Sequence, residues 1–171
     1  MPGCGARESG DVGNAVVEFY ANGARFILVP NTVDVTDIPL LNWLPDFIRD
    51  YFRGKVEQFN RELAGALDQI RATYPALSLV HFDFYGQVKS LLGRADDYGF
   101  TETDRDVLSD VTLLDKSFDG PGANYVFWDP IHPTTKSHAI IAGWHDAVVT
   151  PLSPQIAAAL LPRTSNPPCA G

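Results

Sequence analysis

A carboxylate and an imidazole stand close together in the stretch Trp-Asp-Pro-Ile-His-Pro-Thr at 128–134. Asp129 and His132 are separated by Pro130 and Ile131, and Pro133 follows directly, so the segment should form a turn. In such a turn the carboxylate can hold one ring nitrogen while the other nitrogen takes a proton from a reacting group. Asp129 and His132 are therefore the candidate catalytic residues, as the orienter and the general base of a triad.

Two other interpretations of these residues stay open. The Asp-x-x-His pattern is short, and both side chains could simply flank the start of a helix. Alternatively, Asp129, His132 and His138, with Asp83, could ligate the metal of a metal-dependent hydrolase. We expect His132 and His138 to face different sides across the change from turn to helix, which disfavours the metal site and leaves His138 facing solvent or a neighbouring loop.

Composition and charge restrict the class of protein. The 171 residues are 45% hydrophobic, enough for one domain over 1–171 with flexible ends at 1–10 and 162–171. The net charge of -8 is spread along the chain, which argues against nucleic-acid binding and a polybasic membrane contact. No apolar run approaches the roughly 18 residues of a transmembrane segment, and the N-terminus does not resemble an export signal. Cys4 and Cys169 could form one disulfide or remain two unpaired thiols.

Hydrophobic periodicity predicts an alternation of helices and strands. Helices are predicted at 12–20, 45–74, 85–93, 135–149 and 155–161, and buried strands at 25–30, 77–82 and 125–128. Loops are expected at 1–10, 31–44 and 94–120. This order indicates parallel strands joined by crossover helices, the α/β class.

Polar and apolar side chains follow the predicted strands. Asn31, Asp34 and Asp83 come after two of them, at the carboxyl ends where chemistry gathers in parallel sheets. The apolar residues at 40–44 could form a lip for an acyl chain, but we expect Leu40 and Trp43 to pack into the core against the long helix.

The stretch YVFWDPIHPTTKSHAIIA at 125–142 resembles the last sequence block of the GDSL-type lipases and esterases, the SGNH hydrolase superfamily. NAVVEFYANGARFILVPNTVDVTDIP, PALSLVHFDFYGQV and YGFTE resemble earlier segments of that family in the same order, so the resemblance covers about 12–145. It implies a three-layer α/β/α sandwich with a parallel sheet, no cofactor, and hydrolysis of small-molecule or lipid esters. It also implies that Asp129 and His132 are the last two triad members, and it suggests a secreted or extracellular location.

The sequence departs from the family where the nucleophile should stand. Family enzymes take their serine from a Gly-Asp-Ser segment, and further oxyanion donors from a glycine and from the asparagine of a Gly-x-Asn-Asp segment; none of these blocks is in this sequence. Ser9, in Glu-Ser-Gly-Asp, is disfavoured because the order is different and a helix follows it.

We therefore expect this sequence to be the C-terminal half of the family's domain, without the N-terminal strands and the nucleophile block. Its first strand should then have an exposed edge through which the chain self-associates. An inactive remnant or binding module of the same fold is the alternative.

Overall fold

The computed structural model describes residues 4–152 and 154, and it is built from four α-helices and four β-strands. In chain order these are α1 (Cys4–Ala21), β1 (Phe26–Pro30), α2 (Asp46–Thr73), β2 (Ser78–Phe82), α3 (Phe84–Gly93), β3 (Glu102–Asp106), β4 (Tyr125–Phe127) and α4 (Thr135–Val149). Short 3-10 helices lie at Val35–Asp37, Pro39–Leu41, Ala95–Tyr98, Pro121–Asn124 and Thr150–Leu152.

The first sheet is a parallel pair. Strand β1 pairs with β2 in a register that runs from Phe26 opposite Ser78 to Pro30 opposite Phe82, and α2 is the crossover between them. Helices α1 and α2 pack on each other and on this sheet. Their shared core contains Val16, Val29, Leu63, Leu67, Ile70, Leu77 and Leu79.

The second sheet pairs β3 with β4, also in parallel, and the register shifts between Glu102 and Asp106. Its core cluster joins α3 to β4 through the buried residues Leu91, Phe100, Val126 and Phe127. Ile140 and Trp144 of α4 pack against this cluster. The parallel strands and intervening helices confirm the α/β class.

The structure differs from the sequence predictions in three places, and a fourth prediction lies outside the described residues. The loop expected over 1–10 is wrong from Cys4 onward, because α1 begins there and continues to Ala21. Strand β3 was not predicted, since four of its five residues are charged. Trp43 does not pack into the core: it is 76% exposed, and Leu40 is 45% exposed. The helix predicted at 155–161 lies outside the described residues.

Within residues 4–152 and 154, no helix combines the length and hydropathy that crossing a bilayer requires.

Candidate functional site

The turn that carries Asp129 and His132 folds back onto the end of β4. The N–H of Trp128 donates to the carbonyl of His132 at 2.8 Å, and the N–H of Thr134 donates to the carbonyl of Val126, also at 2.8 Å. These bonds close the turn on both sides of the two candidate side chains. The turn is therefore anchored to a buried strand, although its tip is exposed.

Asp129 holds both the backbone of this turn and the imidazole of His132. Nδ1 of His132 lies 2.8 Å from Oδ2 and 3.0 Å from Oδ1 of Asp129. Oδ1 also accepts the N–H groups of Ile131, at 2.8 Å, and of His132, at 2.7 Å. Backbone hydrogen bonds from His132 and Ile131 lower the pKa of Asp129 below its ordinary value, so the carboxylate is ionised at neutral pH.

The imidazole of His132 projects into solvent. Its side chain is 69% exposed, against 29% for Asp129. Because Nδ1 faces the carboxylate, Nε2 is the ring nitrogen that remains for a reacting group. The structure thus brings the two residues predicted from the sequence into direct contact and leaves the imidazole open to solvent.

Two buried hydroxyl groups fix the start of α4 immediately after His132. Oγ1 of Thr134 donates to the carbonyl of Tyr125 at 3.0 Å and accepts the N–H of Ser137 at 3.3 Å, which caps the helix. Oγ of Ser137 donates to the carbonyl of Val126 at 2.8 Å. Since Thr134 and Ser137 are almost fully buried, the helix and β4 are held as one unit behind the turn.

The loop after β1 also contacts the candidate turn. The N–H of Leu40 donates to the carbonyl of Pro130 at 2.9 Å. The loop is itself fixed by Asp34, whose side chain is inaccessible to solvent and is bound by Arg53 at 2.7 Å and by Lys89 at 2.8 Å. Burial alone would raise the pKa of Asp34, but hydrogen bonds from Lys89, Thr36 and Arg53 outweigh it and hold the pKa well below its ordinary range.

Asn31 and Asp83 meet at the carboxyl ends of β1 and β2, where the sequence placed them. Nδ2 of Asn31 donates to Oδ1 of Asp83 at 2.8 Å, and the N–H of Tyr85 donates to Oδ1 of Asn31 at 2.7 Å. Asp83 also caps α3 through the N–H of Gly86. These hydrogen bonds brace the carboxyl ends of β1 and β2 against the start of α3.

Sequence reasoning missed the loop that follows β3. The N–H of Leu108 donates to the carbonyl of Trp128, and the ring of Phe118 stacks on Trp128 with 4.9 Å between centroids. Asp110 anchors this loop, because it accepts hydrogen bonds from Thr112 and from the hydroxyl of Tyr125, which lower the pKa of Asp110 well below its ordinary value. The Asp-x-Thr pattern at 110–112 is the local signal that could have indicated this anchor.

The remaining candidates from the sequence are not gathered at the turn by any described contact. Ser9 is 4% exposed within α1, a helix that packs on α2. His138 is exposed on the first turn of α4, where its N–H donates to the carbonyl of Thr134. Over the part of the chain that the structure describes, no three His, Cys, Asp or Glu side chains form a group that could hold a metal ion.

Comparison with known proteins gives consistent results. Residues 4–144 match the model of the GDSL-like lipase/acylhydrolase family. The chain is 28% identical over 127 residues to the GDSL esterase/lipase At1g73610 of Arabidopsis thaliana, covering 74% of this chain and 36% of that protein. It is 29% identical over 141 residues to the GDSL esterase/lipase APG of the same plant, covering 74% of this chain and 40% of that protein.

This chain thus spans about two fifths of the length of these curated relatives. The family model covers most of the chain and includes both sheets and the candidate turn. The chain belongs to the GDSL-like lipase/acylhydrolase family.

Proposed function

We propose that this chain serves in the hydrolysis of carboxylic esters, with His132 as the general base and Asp129 as its orienter. The observation that carries the proposal is the 2.8 Å contact between Nδ1 of His132 and Oδ2 of Asp129, on an imidazole that is otherwise open to solvent. Family membership supports the reaction class. The substrate class is a small-molecule or lipid ester, and the reaction needs no cofactor.

The chemistry follows from the protonation of the ring. Asp129 accepts a hydrogen bond from the N–H at Nδ1, which leaves the lone pair of Nε2 pointing away from the carboxylate. Nε2 can then take the proton of a hydroxyl group as that oxygen attacks the ester carbonyl. The ionised Asp129 stabilises the imidazolium that forms, and the imidazolium returns its proton to the departing alkoxide.

The hydroxyl that this base activates is proposed to belong to a Gly-Asp-Ser segment that the printed sequence does not contain. Ser9 is a poor substitute because it is buried and lies within helix α1 rather than in a loop that follows a strand. Without a serine nucleophile the pair can only activate water. Loss of the nucleophile costs on the order of a million-fold in turnover in serine hydrolases.

The test is hydrolysis of p-nitrophenyl butyrate by the 171-residue chain, with fluorophosphonate labelling of its serines. We expect slow hydrolysis that falls about a hundredfold in the His132→Gln variant, in line with the contribution of a general base, and no labelled serine. His138→Gln is the matched control, since His138 is exposed on α4, and its rate should equal that of the parent. Equal rates for the parent and His132→Gln would contradict the role of His132, and a labelled Ser9 would contradict the location of the nucleophile.

We also propose that the chain self-associates along β1. In the part of the chain that the structure describes, this strand pairs with β2 along one edge, which leaves its other row of N–H and C=O groups unpaired. Sedimentation velocity should therefore show a mass that rises with protein concentration. A single monomer mass across a hundredfold range of concentration would contradict this.

A further inference from the structure

A polar cavity of about 350 Å³ lies between the loop after β1, helices α2 and α3, and strand β3. Of the described residues that line it, only Leu92 has a large apolar side chain. The charged and amide-bearing residues of its wall are Asp37, Asn42, Arg49, Lys89 and Asp104. Because burying a hydrocarbon against such groups removes them from water without replacing their hydrogen bonds, the cavity suits a polar ligand.

The charges on this wall balance each other. Arg49 and Lys89 contribute positive charge, whereas Asp37 and Asp104 contribute negative charge. An anion in the cavity is attracted by the first pair and repelled by the second, and the reverse holds for a cation. A neutral ligand avoids both repulsions. The wall therefore favours a neutral polar molecule over an ion.

Two polar atoms at the wall lack a hydrogen bond to any residue that the structure describes. Nε of Arg49 is a donor without an acceptor. Oδ2 of Asp37 is an acceptor without a hydrogen-bond donor, although Nζ of Lys89 lies 2.7 Å away as its ion-pair partner. Buried polar atoms are nearly always hydrogen-bonded, so these two atoms mark places where a ligand can add a bond. A hydroxyl group suits both, because it donates and accepts.

The guanidinium group of Arg49 can turn its Nε towards the cavity at little cost. Nε is covered by its neighbours, but the side chain as a whole is 32% exposed. Nη2 is held by an ion pair of 2.7 Å with Asp46, whose side chain is 87% exposed. Because exposed ion pairs contribute little to stability, a ligand that accepts a hydrogen bond from Nε can replace this contact.

We propose that the cavity binds a neutral polyhydroxylated molecule, with the chemistry of a sugar, through Arg49 and Asp37. A cavity of about 150 Å³ can hold a six-membered ring, so 350 Å³ has room for about two rings, the size of a disaccharide. Asn42 and Thr103 offer the ligand further polar groups. No described residue of the wall belongs to the turn that carries His132, so binding does not depend on that residue.

Titration of the 171-residue chain with the neutral disaccharides cellobiose, maltose, lactose and xylobiose tests the site without requiring turnover. The readout is the ¹H–¹⁵N cross-peak of Nε of Arg49, assigned by its loss in Arg49→Lys. We expect a saturable shift with at least one of the four. The absence of a saturable shift with all four would mean that the cavity holds only water, and would overturn the proposal.

The charge of the ligand is tested with three sugars that share one ring. At pH 6 glucose is neutral, glucuronate is an anion and glucosamine is a cation. Glucose should shift the cross-peak of Arg49 more than either charged sugar at the same concentration, because only the charged sugars meet a repelling pair on the wall. A larger shift with glucuronate or with glucosamine would make this a site for ions and overturn the assignment of a neutral ligand.

Arg49→Lys tests the hydrogen bond from Nε, because it keeps the positive charge and removes that donor. Loss of a hydrogen bond from a charged group should weaken disaccharide binding at least about tenfold, measured by titration calorimetry. Arg61→Lys is the matched control, because Arg61 lies on the same helix, is 71% exposed and does not line the cavity. Equal affinities for the two variants would overturn the proposal.

Gly93→Phe tests the location of the bound sugar. Gly93 lines the cavity, and an added Cβ there would have no neighbour within 4 Å, so the variant should fold. Its ring takes up space in the cavity and should weaken binding at least about tenfold. Gly65→Phe is the control, because Gly65 is exposed on α2, has the same free space and does not line the cavity. Unchanged binding in Gly93→Phe with the near-ultraviolet circular dichroism of the parent, or loss of binding in His132→Gln, would place the sugar elsewhere and overturn the proposal.

Discussion

The main-chain N–H of Leu40 donates to the carbonyl of Pro130 at 2.9 Å and so joins the loop after β1 to the turn that carries His132. This bond links the first parallel sheet to the second. The buried Asp34 fixes the loop that contains Leu40 through its ion pair with Arg53. Thr134, at the start of α4, fixes the turn that contains Pro130 through its hydrogen bond to the carbonyl of Tyr125. The position of the candidate dyad therefore depends on groups that do not touch it.

Asp34→Asn should destabilise the protein strongly. The substitution removes a carboxylate that is inaccessible to solvent and leaves Arg53 and Lys89, each 34% exposed, without their shared partner. Breaking a buried ion pair of this kind costs about 3 kcal/mol of the free energy of unfolding, which urea denaturation would measure.

Asp46→Asn is the control for that prediction. Asp46 is 87% exposed and pairs with Arg49 within α2, so its loss should cost less than about 1 kcal/mol. If Asp34→Asn and Asp46→Asn lost equal free energies of unfolding, the buried position of Asp34 would add nothing to the strength of its ion pairs.

Acid should destabilise the protein in two stages. Burial and the nearby Arg71 lower the pKa of His81, so the stability that neutral His81 contributes is complete above its unfolded pKa and declines as the pH falls below about 6.5. The lowered pKa values of Asp34 and Asp110 give stability that is present above their unfolded pKa and is lost below about pH 4. Urea denaturation between pH 3 and pH 7 would measure the free energy of unfolding across both stages. In Asp34→Asn the free energy of unfolding should fall less steeply below about pH 4. A free energy of unfolding that stays constant down to pH 3 would contradict it.

The hydroxyl of Thr134 should contribute more to the stability of the protein than its methyl group. Thr134→Ala removes the cap of α4 and leaves the N–H of Ser137 and the carbonyl of Tyr125 without this partner, at a cost of about 1–2 kcal/mol. Thr134→Ser keeps the hydroxyl and should lose less than half as much free energy of unfolding as Thr134→Ala. Thermal unfolding of both variants gives the comparison, and an equal loss would assign the effect to packing of the methyl group instead.

Substitution by alanine should change the stability of the protein in opposite directions at two glycines. Gly99 has a φ of +71°, and an added Cβ would lie 3.0 Å from Nζ of Lys136, so Gly99→Ala should destabilise by about 1 kcal/mol. Gly54 is exposed within α2, and an added Cβ would have no neighbour within 4 Å, so Gly54→Ala should stabilise the protein by about 0.5–1 kcal/mol. Urea denaturation of both variants measures the difference, and a loss of stability in Gly54→Ala would contradict the prediction.

The elements that were predictable from the sequence are those with a local signal. The apolar runs at β1 and β2 predicted the two strands, although most of their residues are only partly buried, and the helical periodicity of α2 predicted the crossover between them. The contact between Asp129 and His132 was predictable for the same reason, since the turn that joins them lies within one short stretch.

The features that the sequence did not predict depend on contacts between distant parts of the chain. Strand β3 has the charged sequence ETDRD and forms because β4 pairs with it, which no periodicity within the segment could indicate. Asp110 acquires its role only when the fold brings Tyr125 to it. The exposure of Trp43 was also unpredictable, because an apolar residue in a loop gives no sign of which side of the loop faces the core.

The most direct test of the account is the tautomer of His132, read from the ¹⁵N chemical shifts of its ring nitrogens at pH 8 and assigned with His132→Gln. We predict a proton on Nδ1 and a bare Nε2, because the carboxylate of Asp129 lies 2.8 Å from Nδ1, and we predict that Asp129→Asn removes this preference. A proton on Nε2 in the parent chain, or a tautomer that Asp129→Asn leaves unchanged, would contradict the claim that Asp129 prepares His132 to act as a base.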